Sequence, residues 1–421
     1  MTLIKKIAVL NGGRIPFQPS GTIYKKLSNI DLVNLAFNGI LSKTEIDPKN
    51  IDNILVGNVI QDVKTSNIAR ESALACGIPN KVPATTISQA CISSSQCLHQ
   101  GINEIILGQS NLILTGGVES FSDPPIKYSK KMRQWLFNLP KNSKKGPLST
   151  IKYLSKLRPN YFKPDPPALT NYTTGELMGF ASEKIAERFG ISRKDQDLYT
   201  LRSHELAFDA HSKKFYDNEI FPYDNNIFEN NIRSNLNLEQ LEKLKPSFKK
   251  NGTHTPGNSS GLTDGSTACL ISSCEKAKEL DIKPSGYILD SVVVGTDPYE
   301  ELLLGPSYAI PKILKRNNLK ISDIGVFEIH EAFAGQILAN LEAINNNNFC
   351  ENVLGRSKIG EIPLDKLNLW GGSLAIGHPL AATNIRNVMT CINRLKHEKK
   401  QLGLVVACAD SGLANAMLIS L

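Results

Sequence analysis

Thr86-Ile87-Ser88-Gln89-Ala90-Cys91-Ile92-Ser93-Ser94-Ser95-Gln96 carries a short Ser/Thr-rich strand straight into a helical run. Cys91, Leu98, Ile102, Ile105 and Ile106 follow at near-helical spacing and predict a helix between residues 91 and 108. Cys91 then stands at the helix start. There the positive end of the helix dipole lowers a thiol's pKa, and the thiolate is the nucleophilic form. Read alone, a free cysteine is a small buried core residue.

Along the chain strand-like and helix-like runs alternate, which is the grammar of an α/β fold. Ile7–Leu10, Ile54–Val56, Leu112–Leu114 and Ala268–Ser272 are short apolar runs bounded by Gly, Asn or Ser. The second half repeats the pattern. Asp52-Asn53-Ile54-Leu55-Val56-Gly57 echoes Asp323-Ile324-Gly325-Val326-Phe327-Glu328, and residues 88–120 are matched by 376–412, with Leu404–Ala407 as counterpart of Leu112–Leu114. The expectation is two duplicated halves, 1–279 and 280–421, with loops converging on a site where the sheets' ends meet. Residues 123–250, rich in Pro, Lys and Asn, read as an inserted loop domain. Within it, Ser192 with Asp195 predicts a capped helix start. The run Asn345–Asn348 reads as a solvated loop.

At 41% hydrophobic and 21% charged residues, the chain has the composition of a soluble globular protein. No stretch approaches the roughly 20 apolar residues of a membrane span. Lys5 and Lys6 interrupt the first apolar run, so it reads as a strand rather than a signal peptide. The formal net charge is +8, yet residues 124–164 hold eleven Lys/Arg and no acid, which leaves 37 basic against 40 acidic residues elsewhere. The basic character belongs to one insertion, which argues against a nucleic-acid binder. The eight cysteines are scattered, without CxxC or zinc-finger spacing. Reduced thiols in a cytoplasmic, reducing compartment are expected. No GxGxxG, Walker A or metal-ligand cluster occurs, so no permanently bound cofactor and no metal are expected.

Three further blocks carry chemistry. Gly377-His378-Pro379 holds a histidine on a rigid turn, suited to a general base or, alternatively, to capping a helix. His330-Glu331-Ala332-Phe333-Ala334 ends the strand Ile324–Ile329. Cys408 lies in Val405-Val406-Ala407-Cys408-Ala409-Asp410-Ser411-Gly412.

In this order, from Ile7 to Leu421, the blocks resemble the thiolase family, and within it the β subunits of fatty-acid-oxidation trifunctional complexes. The resemblance implies the thiolase fold, with mixed five-stranded sheets sandwiching helices. It implies an acyltransferase that cleaves 3-ketoacyl-CoA with CoA as co-substrate, in β-oxidation. Cys91 would take the acyl group, His378 would activate it, Cys408 would protonate the departing acetyl-CoA carbanion, and His330 would polarise the keto oxygen. Many thiolases have Asn at His330; the His form is the trifunctional β variant. Glu331 would orient His330 or a water, or else make a structural ion pair. Asp410 would supply a backbone N–H to an oxyanion. Ser260, Gly261, Met178, Ala332 and Phe333 would line the CoA and substrate channel.

The chain also departs from the family. Gly or Ala is usual at 410, and Gly at 381, 384, 411 and 414, where this chain has Asp410, Ala381, Asn384, Ser411 and Ala414. A carboxylate at 410 would repel a developing anion if it points inward. Two other readings therefore stand beside degradation: a biosynthetic acetyl-CoA acetyltransferase, and a thiolase-like lipid-binding protein with weak catalysis. A homodimer or larger oligomer, and a hydratase/3-hydroxyacyl-CoA dehydrogenase α subunit, are implied partners. In 124–164, apolar positions Trp135, Leu136, Phe137, Leu139, Leu148, Ile151, Leu154 and Leu157 alternate with lysines. That pattern predicts basic amphipathic helices for an anionic membrane or an acidic partner, against a plain solvated loop.

Overall fold

The computed structural model describes residues 6–167 and 170–421. Its main strands are β1 (Ile7–Arg14), β2 (Asn53–Asn58), β3 (Ala84–Ile87), β4 (Leu112–Glu119), β5 (Thr263–Ser272), β6 (Gly286–Gly295), β7 (Val326–Ile329), β8 (Leu402–Ala409) and β9 (Leu413–Ser420). They pair in the order β7-β8-β9-β6-β1-β5-β4-β2-β3. In the first half β3, β2 and β4 run parallel, and β5 and β1 follow antiparallel. In the second half β7 and β8 run parallel, and β9 and β6 follow antiparallel. The expected fifth strand of that half is reduced to one parallel bridge, Leu367 to Phe327, at the place β3 holds in the first half. The two sheets are not separate: Ile7–Val9 pair with Gly286–Ile288 and join them edge to edge.

Helices α1 (Asn29–Thr44), α2 (Ile68–Ala75), α3 (Ser93–Ile106), α4 (Lys130–Ser143), α5 (Pro147–Leu154), α6 (Met178–Arg188), α7 (Arg193–Ser212), α8 (Pro306–Arg316), α9 (Ala334–Asn345) and α10 (Thr383–His397) complete the frame. Period-two alternation decides the layering. Ile113, Leu55, Ile271 and Val405 pack inward with Leu98 and Ile102 of α3 and Ile385 and Val388 of α10. Their neighbours Leu112, Leu114, Ile54, Val56 and Leu270 face outward to Leu32, Phe37 and Ile68 of α1 and α2. Leu404, Val406 and Leu418 face α8 and α9 on the other side. Sheets covered on both faces give continuous apolar runs, which is why these strands read so clearly in the sequence.

The helix expected from residue 91 begins at Ser93, with Ile92 at its N-cap, so Cys91 precedes the helix. Ile106, placed on its apolar face, is 46% exposed. Asn345–Asn348 is not a loop. Asn345 ends α9 and the Asn346 side chain caps a second helix, Asn347–Asn352. Ser192 and Asp195 form the expected capping box at α7.

The insertion is not a detached lobe. Its α6 and α7 pack on α9 of the second half. The basic segment folds as a hairpin of α4 and α5, closed by the pair Lys127–Tyr128 with Pro164–Asp165. Trp135 stacks on Tyr153 inside it, while Phe137, Leu148 and Ile151 face outward. No helix among the described residues is long and apolar enough to cross a membrane.

Candidate active site

Cys91 sits in the turn between β3 and α3. Ala90 before it has φ 46°, the left-handed region that a Cβ disfavours, a local strain of the kind that clusters at functional sites. The turn is held from within, as Ser93 Oγ accepts from Gln89 N at 2.8 Å and donates to Ala90 O at 2.7 Å. It is also held from the second half, where Asn384 Nδ2 donates to the Cys91 carbonyl at 2.9 Å. A side chain at a position that is glycine in the family thus becomes a strut for the cysteine.

His378 Nε2 lies 3.2 Å from Cys91 Sγ. Its Nδ1 meets Thr383 Oγ1 at 2.7 Å, and its backbone N–H donates to Thr263 Oγ1 at 3.1 Å. Gly377 is required here: φ is 109°, and a Cβ would come within 2.7 Å of Asn231 and Thr263. The histidine is pinned on every side but the sulfur.

Cys408 is the penultimate residue of β8 and is buried. Beyond it the chain turns through Ser411, which has φ 67°, so the family's usual glycine at 411 has a conformational reason. The backbone N–H of Asp410 faces the Cys91 sulfur. Its carboxylate does not stand free: Oδ1 accepts from Asn171 Nδ2 at 2.7 Å and from Ser411 N at 2.6 Å.

His330 directly follows β7, and its ring centre is 4.1 Å from that of His378. Nδ1 meets Ser373 Oγ at 2.9 Å, and Nε2 is buried with no partner among the described residues. Among the described residues Glu331 makes no hydrogen bond to His330 and no ion pair, but accepts from Tyr199 Oη, Ser203 Oγ, Asn368 Nδ2 and Leu374 N at 2.7–3.2 Å. It therefore fixes the Gly372–Leu374 turn, which carries Ser373 to His330.

A cavity of about 280 Å³ opens over these groups, lined by Cys91, His378, Cys408 and Asp410 together with Met178, Ser260, Gly261, Ala332 and Phe333. His330 and Glu331 are not among its lining residues; they lie behind it. The Ser259–Leu262 loop bridges Phe333 and His378 and seats both. Val59, Ile60, Leu177, Phe248 and Leu303 complete the apolar wall, unmarked by any sequence motif. No cluster of potential metal ligands occurs among the described residues.

Residues 7–275 match the thiolase N-terminal domain, and residues 282–421 the thiolase C-terminal domain. The chain belongs to the thiolase family. It is 45% identical to the mitochondrial trifunctional enzyme subunit beta of Homo sapiens, over 99% of this chain and 88% of that one. It is 38% identical to a 3-ketoacyl-CoA thiolase of Serratia proteamaculans (strain 568), over 98% of this chain and 96% of that one. Among solved structures, human mitochondrial 3-ketoacyl-CoA thiolase in complex with CoA superposes with a TM-score of 0.83 at 29% identity, covering 100% of this chain and 99% of that one. This thiolase is accordingly an acyltransferase.

Electrostatics correct one expectation for this thiolase. Burial pushes the Cys91 thiol up to about 12, outweighing the Asp410 N–H that favours the thiolate. Burial, then the Arg386 charge, depress His378 to about 3. Both shifts favour a neutral thiol beside a neutral imidazole over the dipole-stabilised thiolate expected of Cys91. Burial and the neighbouring Cys91 likewise raise Cys408. Glu119, raised by burial to about 7, accepts from Val59 N and Ile60 N and so fixes that part of the cavity wall.

Proposed function

We propose that this thiolase cleaves 3-ketoacyl-CoA with CoA, yielding acetyl-CoA and a shortened acyl-CoA, in fatty-acid β-oxidation. The observation that carries the reading is the 3.2 Å contact of Cys91 Sγ with His378 Nε2 on a cavity that Cys408 also lines. The names of its relatives point the same way.

On this reading the Cys91 proton passes to His378 Nε2 as the sulfur attacks the 3-keto carbon. His330, behind the cavity wall, polarises the keto oxygen and its oxyanion directly or through a water. The C2–C3 bond breaks, its electron pair stays on C2 of the acetyl-CoA fragment, and Cys408 protonates that carbon. The Cys408 thiolate then takes the proton of incoming CoA, whose sulfur attacks the Cys91 thioester. The second oxyanion meets the backbone N–H groups of Cys91 and Asp410. Cys91 leaves and recovers its proton from His378.

We further propose a homodimer or larger assembly, an α subunit carrying hydratase and 3-hydroxyacyl-CoA dehydrogenase activities, and peripheral contact of the α4–α5 hairpin with an anionic membrane. The outward Phe137, Leu148 and Ile151 among lysines support the last. A reducing, cytoplasm-like compartment fits eight free cysteines.

The test is CoA-dependent cleavage of acetoacetyl-CoA and 3-ketohexadecanoyl-CoA by the purified protein, with Cys91→Ala as control. Preference for the long chain, lost in the variant, supports the reading. Preference for acetoacetyl-CoA would assign the acetyl-CoA acetyltransferase role instead, and turnover of neither would favour a lipid-binding protein.

A further inference from the structure

Behind the cavity, two groups converge on one hydroxyl. Ser373 Oγ lies 2.9 Å from His330 Nδ1 and 3.2 Å from Arg386 Nη2. Ser373 is fully buried and Arg386 is 1% exposed. The guanidinium is compensated at a distance by Glu328, 3.9 Å from Nη1. Neither Arg386 nor Ser373 lines the cavity.

The donor and acceptor inventory at Ser373 favours one arrangement. A guanidinium only donates, so Ser373 Oγ accepts from Arg386. The hydroxyl then has one proton to place. Were His330 protonated on Nδ1, Ser373 would accept twice, its proton would lack an acceptor in a buried site, and His330 Nε2 would be an unpaired acceptor as well. With Nδ1 bare, the hydroxyl donates to it, and the unpaired hydroxyl proton and unpaired Nε2 acceptor of the other tautomer are replaced by a single unpaired donor at Nε2. The proton of a neutral His330 then sits on Nε2, the buried atom with no partner among the described residues.

We propose that Arg386 and Ser373 are positioning residues that fix His330 as the Nε2–H tautomer, giving two adjacent histidines opposite roles. His378 keeps Nε2 open to accept the Cys91 proton and directs Nδ1–H to Thr383. His330, with its ring centre 4.1 Å away, presents Nε2–H as a neutral donor. The relay also explains a buried cation beside two imidazoles, since its charge discourages either from resting as imidazolium. Burial, His378 and Arg386 together hold His330 well below the usual histidine range. The tautomer stands on the hydrogen bonds alone; its value in catalysis rests on the thiolysis reading above.

The test uses the full chain labelled with heavy-nitrogen histidine. The His330 signals are assigned by difference with a His330→Gln variant, and the tautomer is read from proton–nitrogen correlation spectra. The native protein is expected to show a protonated Nε2 and a bare Nδ1. Ser373→Ala should mix the tautomers and lower kcat about tenfold or more with little change in KM, and Ser373→Thr should restore both. A native His330 protonated on Nδ1 overturns the proposal. So does a Ser373→Ala variant that keeps the Nε2–H tautomer. If no 3-ketoacyl-CoA is cleaved, the thiolysis reading fails while the spectrum still decides the tautomer.

Discussion

Asn171 Nδ2 lies 2.7 Å from Asp410 Oδ1, and the same amide reaches Ser411 Oγ at 3.2 Å. One buried side chain of the insertion thus restrains the only carboxylate that lines the cavity over Cys91 among the described residues and, through it, the turn that places an N–H at the sulfur. Asp410, which by sequence threatened the oxyanion, is accommodated by a partner 239 residues away.

Asn171→Ala should therefore impair turnover more than it impairs folding. Losing one hydrogen bond to a charged group costs about 1–3 kcal/mol. The released carboxylate would lower kcat, and Asp410→Ala in the same chain should recover most of it. Steady-state kinetics on the two single variants and the double variant form the cycle. Additive losses would break the claimed link.

Cys91 should behave as an ordinary or sluggish thiol in the free enzyme. Its pKa is raised, so thiolate is scarce at neutral pH and increases as pH rises. Iodoacetamide alkylation followed from about pH 5 to about pH 10 should climb throughout. A plateau reached below about pH 7 would reveal a thiolate–imidazolium pair and contradict the neutral resting state.

His378→Ala should lower kcat by about 10²–10⁴ while leaving Cys91 in place to be alkylated. Rapid-quench detection of acyl-enzyme would find its formation, rather than CoA binding, to be the slowed step. An unchanged acylation rate would assign the base elsewhere.

Glu331→Ala should destabilise the fold by more than about 3 kcal/mol, because four buried donors lose their acceptor together. Urea unfolding measures this. A loss near zero would mean that the Gly372–Leu374 turn is held by something else.

Acid sensitivity should trace in part to Glu183. Burial raises its pKa, but hydrogen bonds from His254 and Thr253 outweigh that and bring it to about 2. A depressed carboxylate stabilises the folded chain above its ordinary value and loses that contribution as pH falls through the folded one. Stability should decline from about pH 4 toward about pH 2, and less steeply in Glu183→Gln. Parallel curves for the two proteins would remove Glu183 from the account.

The residues that meet at the candidate site were legible because each is written locally. Cys91, His378 and Cys408 stand in short turns beside apolar strands whose two-sided burial shows directly in composition. The duplication was legible for the same reason. What the sequence concealed depends on partners far along the chain. Nothing around Asn171 announces Asp410, and nothing around Asn384 announces the carbonyl 293 residues before it. Glu331 shows the same effect, its four donors coming from α7, Asn368 and the Gly372–Leu374 turn. The helix start at 93 rather than 91 reflects the left-handed Ala90, a conformation that no periodicity encodes.

The position of β1 bears on how the molecule is made. Its neighbours are β5 and β6, so Ile7–Arg14 emerges from the ribosome long before Thr263–Gly295 exist to flank it. Until then an apolar ribbon with two unsatisfied edges must be kept from pairing with other chains. Biosynthesis of this protein should therefore depend on chaperone shelter of the nascent N-terminal strand, and truncated products ending before residue 263 should aggregate rather than accumulate as soluble halves.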